Sequence, residues 1–113
     1  MIRIPTSTDP KLSRYVQRTR LGRRDYLLTF DWNGRDNHWY LSIALEDQTP
    51  VVSGVKLVVG TPLLRSVPGV NRPEGDILAI DTTGKHGDPT LETLGSSVLL
   101  MYVDPTDVVA VPA

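Results

Sequence analysis

Two neighbouring runs of alternating apolar residues constrain the fold of this chain more than any other feature of its sequence. Each run places an apolar side chain at every second position, which is the pattern of a β-strand with one buried face. The apolar positions are Tyr26, Leu28, Phe30 and Trp32 in the first run and Trp39, Leu41, Ile43 and Leu45 in the second. Two such runs in succession predict an antiparallel pair of strands over one core.

The connection between the two runs decides how they pair. Asn33-Gly34 is typical of a two-residue hairpin turn, but Arg35-Asp36-Asn37 would then begin the partner strand, and these residues are poor strand formers. We therefore predict a longer loop over residues 33–38. It sets Trp32 opposite Trp39, Phe30 opposite Leu41, Leu28 opposite Ile43 and Tyr26 opposite Leu45. A slip of one residue would turn one apolar set to the wrong side, so the register should be fixed.

The rest of the chain is predicted to form further short strands separated by turns. Nine glycines and nine prolines are scattered over the 113 residues, and no segment has sustained helical periodicity beyond a single turn at residues 90–94. The predicted strands are residues 2–4, 14–21, 51–59, 77–80 and 98–103, with a bulge at Gly54. We predict an all-β fold, a small antiparallel β-barrel or sandwich of about six to eight short strands.

One domain is expected over residues 1–113, because a chain of this length suits a single compact core. Residues 1–13 are interpreted as a possible extended N-terminal arm and residues 104–113 as a C-terminal tail. The strands at residues 77–80 and 98–103 are apolar without alternation, which is typical of strands covered on both faces. In so small a domain the second cover is expected to be another subunit, which indicates an oligomer or an assembly component.

Charge is divided unevenly along a chain whose formal net charge is −1. Residues 1–35 hold eight basic and three acidic side chains, or +5, and residues 36–113 hold four basic and ten acidic ones, or −6. The candidate interface residues are Arg14, Arg18, Arg20, Arg23, Arg24 and Arg72.

The basic cluster at residues 14–24 has three readings. It is a phosphate-binding patch with Tyr15 as a stacking residue, an edge strand whose charges block unwanted pairing, or a contact with the acidic part of a neighbouring copy. In an assembly, the contacts are expected to be made by the basic segment at residues 14–24, by the loop at residues 66–75 and by both termini.

No catalytic, cofactor or metal site is predicted. The chain has no cysteine, and its two histidines, His38 and His86, stand alone in turns and are interpreted as exposed loop residues. Residues 78–84 resemble the Asp-Thr-Gly signature of retroviral-type aspartic proteases. A second threonine interrupts the motif, and Asp81 is instead expected to form an Asx-type turn at a strand end.

Neither a membrane nor a secretion route is indicated. No apolar run approaches the roughly 18 residues that a membrane-spanning helix needs. The first five residues, Met-Ile-Arg-Ile-Pro, are not followed by the apolar stretch of a signal peptide. We expect a soluble protein made in a cytoplasm.

A series of short motifs runs in order from Thr19 to Val103. It comprises Asp31-Trp32-Asn33, Trp39-Tyr40-Leu41, residues 53–60, Pro62-Leu63-Leu64, Ile80-Asp81-Thr82-Thr83-Gly84, Asp88-Pro89-Thr90, Leu94-Gly95 and residues 98–103. Together they resemble the phage baseplate plug family, small proteins of contractile tails. The resemblance implies a structural protein of the virion tail baseplate, near the tail axis, with no enzymatic activity and no catalytic residues. Synthesis would take place in the host cytoplasm.

The partners that the resemblance implies are other phage tail proteins: the baseplate hub, the tail tube and neighbouring baseplate subunits. A ring or multi-copy assembly around the tail axis is expected. The alternative is a small β-barrel binding module for an anionic polymer such as single-stranded nucleic acid. The near-zero net charge argues against a dedicated nucleic-acid binder.

Overall fold

The computed structural model describes residues 2–6, 11–22, 24–64 and 73–104. Within these ranges the chain forms seven strands and no helix, and therefore no helix that could cross a membrane. The strands are β1 (Ile2–Ile4), β2 (Arg14–Leu21), β3 (Arg24–Asn33), β4 (His38–Leu45), β5 (Pro50–Lys56), β6 (Asp76–Asp81) and β7 (Val98–Val103).

The strands form two antiparallel sheets. One sheet has the order β2-β3-β4-β5, and the other has the order β1-β7-β6. The two sheets do not close into a barrel, and their buried residues join in one core cluster. The all-β prediction is confirmed, and of its two forms the structure favours the sandwich.

The β3–β4 pair carries the register predicted from the sequence. All four predicted apolar pairs, from Trp32 opposite Trp39 to Tyr26 opposite Leu45, are directly opposed. The strands extend one residue further than predicted, to Asn33 and His38, and four residues connect them. The Asn33 Oδ1 accepts hydrogen bonds from the backbone N–H groups of the two residues at positions 35 and 36, at 3.0 and 3.2 Å. This side chain therefore shapes a turn longer than the two-residue form.

The sequence predicts that Trp32 and Trp39 both belong to the core; this is confirmed for Trp39, whereas Trp32 lies at the rim of the core. The Trp39 side chain is 2% exposed and meets the ring of Phe30 edge-on, with centroids 6.5 Å apart. Trp32 is half-buried and packs edge-on against Trp39 at 5.7 Å. Buried residues of both sheets and of the connections between strands complete the cluster: Ile4, Leu21, Tyr26, Leu28, Leu41, Ile43, Leu57, Leu63, Leu64, Ile77, Ala79, Leu94, Val98, Leu100 and Tyr102.

The chain crosses from one sheet to the other directly after β5. The predicted bulge is confirmed: Gly54 has a φ of 70°, and the register of β4 with β5 shifts beside it. The predicted strand at residues 51–59 is wrong in its last three residues, since β5 ends at Lys56. Leu57 still donates its N–H to the Trp39 carbonyl at 2.9 Å, but Val59 bridges Ala79 of the other sheet. We call residues 57–64 the crossover.

Strands β6 and β7 bury one face and leave the other half-covered. Their inner residues are buried, whereas Ile80 on the outer face is 38% exposed. A second subunit over this face stays a prediction.

The chain ends are described only in part. Residues 2–4 of the predicted arm pair with β7 as β1. Of the predicted tail, only Asp104 lies within the described residues, and most of the predicted contact segment at residues 66–75 lies outside them.

Candidate interaction surface

Three of the six candidate arginines lie on one face of β2. Arg14, Arg18 and Arg20 alternate with half-buried residues and are exposed on the outer side of the four-stranded sheet. Arg24, the first residue of β3, is exposed as well. It points to the other face of the sheet from Asp25, because successive side chains of a strand alternate between its faces. Arg23 and Arg72, the other two candidates, lie outside the described residues.

The grouped arginines contact carboxylates of their own chain. Arg18 Nη2 lies 2.9 Å from Asp25 Oδ2 and 3.0 Å from Glu46 Oε2, and Arg14 Nε lies 3.6 Å from Asp31 Oδ1. The hydrogen bond to Asp25 and the charge of Glu46 raise the pKa of the Arg18 guanidinium. These ion pairs are exposed to solvent, so each contributes little to the stability of the fold. The face, which we call the β2 arginine face, is thus a mixed-charge surface rather than a bare basic patch.

Tyr15 does not stand beside these arginines. Its ring stacks on Phe30 at 4.9 Å with an interplanar angle of 19°, and it meets Trp39 edge-on at 5.9 Å. It therefore packs against the core on the inner side of β2. Of the three readings of the basic cluster, the one that uses Tyr15 as a stacking residue is disfavoured, because strand alternation turns Tyr15 to the other face of β2 from the arginines.

A second polar cluster, centred on His38, forms where β4 begins. The Nδ1 atom of His38 lies 2.8 Å from the Asp36 carbonyl oxygen, and its Nε2 atom lies 2.8 Å from Asp88 Oδ2. A carbonyl and an ionised carboxylate only accept hydrogen bonds, so the two bonds form together when both ring nitrogens carry a proton, in the imidazolium form of His38. These two bonds, that to the Asp36 backbone first, raise the pKa of His38. The interpretation of His38 as a lone, exposed histidine is wrong.

Asp36 and Asp88 are themselves held by further donors. The Tyr40 hydroxyl donates to Asp36, and Lys56 Nζ lies 3.2 Å from Asp36 Oδ2. These hydrogen bonds lower the pKa of Asp36. Burial alone would raise the pKa of Asp88, but hydrogen bonds from the Val59 N–H and from His38 outweigh it and lower that pKa.

The cluster joins three separate segments of the chain. Asp88 Oδ1 accepts the Val59 N–H of the crossover at 2.9 Å, while Asp88 Oδ2 faces His38. Nearby, the indole Nε1 of Trp39 donates to the Thr90 carbonyl at 3.0 Å. The hairpin, the crossover and the connection between β6 and β7 are thereby tied together, which is a structural task.

Asp81, the residue of the protease-like motif, serves its own loop. Its Oδ1 accepts the Thr83 N–H at 2.9 Å and its Oδ2 accepts the Gly87 N–H at 2.8 Å. The Thr83 hydroxyl also donates to Oδ1. These three hydrogen bonds, first of all the one from the hydroxyl, lower the pKa of Asp81. The predicted Asx-type turn is confirmed. His86 is exposed in the same loop, as predicted, with a φ of 56°.

The described residues were also searched for a cluster of side chains that could bind a metal ion. Across residues 2–6, 11–22, 24–64 and 73–104, no three His, Asp or Glu side chains gather in a way that could hold a metal ion. The titratable groups described above bond to each other or to backbone groups.

Fold and surfaces together define a small β-sandwich protein whose polar side chains organise loops and cover sheet faces. A family model described as cyanophage baseplate Pam3 plug gp18 matches residues 1–105. The chain therefore belongs to this family of phage baseplate plugs, and the resemblance found in the sequence is confirmed. Membership places it among the structural proteins of the virion tail, in association with other tail proteins. A search of curated proteins found no match.

Proposed function

We propose that this chain is a plug-like structural component of a contractile-tail baseplate, packed against hub and tube proteins near the tail axis. It would act by shape and contact rather than by catalysis, in several copies around that axis, after synthesis in the host cytoplasm. The observation that carries the proposal is the family match, which spans residues 1–105.

The β2 arginine face is the proposed contact surface. Arg14 and Arg18 have 70% and 62% of their side chains exposed, and their ion pairs lie in solvent, where partner carboxylates can share them. We include Arg23, Arg24 and Arg72 on the strength of their charge in the sequence. The segment at residues 66–75, the arm at residues 1–13 and the tail at residues 104–113 are proposed as further contacts of a single domain over residues 1–113.

Binding to purified hub and tube proteins of the same phage tests the proposal. We expect sedimentation to detect a complex at low salt that weakens as salt screens the exposed charges. The double variant Arg14→Gln/Arg18→Gln should weaken it further, whereas Lys85→Gln, an exposed change in the loop after β6, should not. A chain that stays monomeric at every salt concentration and binds neither protein would contradict the proposal.

Binding of single-stranded nucleic acid is the competing function, and two observations disfavour it. The formal net charge of the chain is −1, and Tyr15 packs on Phe30 on the inner side of β2, away from the arginines. A fluorescence titration with single-stranded DNA should therefore give weak binding. A steep dependence of log affinity on log salt, equivalent to several released counterions, would favour the competing function.

A further inference from the structure

The outer edge of β2 is a long, regular strand edge that the described residues leave without a paired strand. β2 is the first strand of its sheet and runs for eight residues without proline, glycine or bulge. The other three edges are protected. β1 has three residues, β5 begins at Pro50 and contains the Gly54 bulge, and the crossover covers β6, where Gly60 N–H donates to the Ala79 carbonyl at 3.1 Å. Short strands, prolines, bulges and covers keep edges from pairing, and β2 has none of them; its protection is the charge of its arginines, which excludes basic partner strands but admits acidic ones.

The register identifies the backbone groups of β2 that point outward. Trp32 donates its N–H to the Ser13 carbonyl at 2.8 Å, one step beyond the first residue pair of β2 and β3. In an antiparallel pair, directly opposed residues alternate between bonded and non-bonded pairs. The odd-numbered residues of β2 therefore bond to β3. The N–H and C=O groups of Arg14, Val16 and Arg18 face away from the sheet.

This edge borders a cleft between the two sheets. The cleft has a volume of about 540 Å³ and is lined by residues 2–5, residues 17–20 and Tyr102. β1 and β2 stand on its two sides and belong to different sheets. An extended segment placed here would bond to the outward groups of β2, and its side chains would alternate between the cleft and the outer face.

The side chains beside the edge select the chemistry of such a segment. Arg14 and Arg18 flank Val16 on the outer face, and Val16 is 58% exposed. Opposite charges directly across a strand pair stabilise it, and like charges destabilise it. On the matching face of an added strand, carboxylates opposite the two arginines and an apolar residue opposite Val16 complement this row.

We propose that the outer edge of β2 binds an extended, carboxylate-bearing segment of a neighbouring tail protein by strand addition. The inference rests on the proposed function, for which it supplies the partner chemistry and the mode of contact. Pairing of β2 with β2 of a second copy is disfavoured because it would oppose arginine to arginine. A nucleic-acid strand could contact the arginines but has no peptide backbone to continue the ladder.

The first test measures amide hydrogen exchange by NMR in the isolated chain. The probe is a blocked peptide with the repeat Glu-Thr-Val-Thr, which places glutamate and valine in turn on one face of a strand, and the control peptide has lysine in place of each glutamate. We expect saturating glutamate peptide to slow exchange by more than about tenfold at the outward amides of Arg14, Val16 and Arg18, and the lysine peptide to leave them unchanged. Unchanged exchange with both peptides would overturn the inference, as would equal protection by single-stranded DNA.

The second test uses assembled virions. Val16→Pro removes an outward N–H without removing a bond to β3, and Val16→Thr keeps the N–H as a matched control. A phage that lacks the gene is complemented with each variant, and the chain in purified tails is quantified by mass spectrometry. We expect Val16→Thr to be incorporated like the wild type and Val16→Pro to be lost, with both variants folded by circular dichroism.

A third variant covers the case in which proline prevents folding. Arg14→Gln/Arg18→Gln keeps the edge but should lose the preference for the glutamate peptide over the lysine peptide. An unchanged preference would overturn the inference. Equal incorporation of folded Val16→Pro and Val16→Thr would also overturn it while leaving the proposed function intact. Absence of the wild-type chain from purified tails would instead remove the proposed function itself.

Discussion

The Nε2 atom of His38 lies 2.8 Å from Asp88 Oδ2, although 50 residues separate the two along the chain. The same carboxylate accepts the Val59 N–H through its other oxygen. One half-buried carboxylate therefore connects the start of β4, the crossover and the loop that follows β6. Charge-assisted hydrogen bonds of this kind are stronger than neutral ones.

Raising the pH is expected to weaken this junction. Hydrogen bonds to the Asp36 carbonyl and to Asp88 raise the pKa of His38 above its usual value of 6.5. A raised pKa in the folded state contributes stability that is complete below the unfolded pKa and is lost as the pH rises through the folded pKa. The free energy of unfolding, measured by urea titration, should therefore fall as the pH rises above about 6.5.

Replacement of the two histidines separates this effect from others. His38→Gln should lower stability at about pH 6 and flatten the pH dependence above it. His86→Gln is the matched control, because His86 is exposed and should leave the profile unchanged. A wild-type profile as flat as that of His38→Gln would contradict the charged state assigned to His38.

Trp39→Ala is expected to cost about 3–5 kcal/mol in the free energy of unfolding. The side chain is 2% exposed, touches Phe30 and Trp32, and donates its indole N–H to the Thr90 carbonyl. Trp32→Ala, at the half-buried rim, should cost less. Thermal or urea denaturation of both variants checks the order, and an unchanged melting temperature for Trp39→Ala would refute the packing described here.

Gly75→Ala is expected to destabilise the fold because no room exists for a side chain. A Cβ there would lie 2.1 Å from the Val103 carbonyl oxygen and 2.8 Å from the Tyr102 ring. Overpacking of this kind costs about 1–3 kcal/mol or more. Gly34→Ala is the control, since nothing lies within 4 Å of its Cβ position. Equal melting temperatures for the two variants would be inconsistent with the close approach at Gly75.

Gly54→Ala is expected to destabilise for a different reason. Nothing lies within 4 Å of the Cβ position, but the φ of +70° lies in the left-handed region. An alanine there costs about 1–2 kcal/mol, and asparagine costs less because it tolerates this conformation. Urea denaturation should rank the variants as wild type, Gly54→Asn, Gly54→Ala. A Gly54→Ala variant as stable as the wild type would mean that the bulge relaxes.

Features set by neighbouring residues could be predicted from the sequence. The register of β3 with β4 follows from the alternation on either side of residues 33–38, because every other register exposes apolar side chains. The Gly54 bulge is also local. The crossover was missed because Val58 and Val59 continue an apolar run that looks like a strand, although the backbone there already bonds to the other sheet.

Contacts between distant segments left little trace in the sequence. Nothing near His38 indicates that the loop around Asp88 will reach it. The ion pairs on β2, by contrast, could have been predicted from the sequence. A two-residue turn directly after Leu21 sets Arg14 opposite Asp31 and Arg20 opposite Asp25, as the structure shows. The predicted apolar run instead began at Tyr26, which left Arg24 and Asp25 outside the strand that contains them.

The pairing of Ile2 with Tyr102 has a consequence for how the chain is made. The meander β2-β3-β4-β5 is complete once residue 56 has left the ribosome, and its contacts are local enough to form early. The sheet β1-β7-β6 cannot close until translation has passed residue 103. Until then, Ile4 and the inner face of the meander have no cover from the second sheet, so a stalled or truncated nascent chain leaves apolar surface exposed to aggregation.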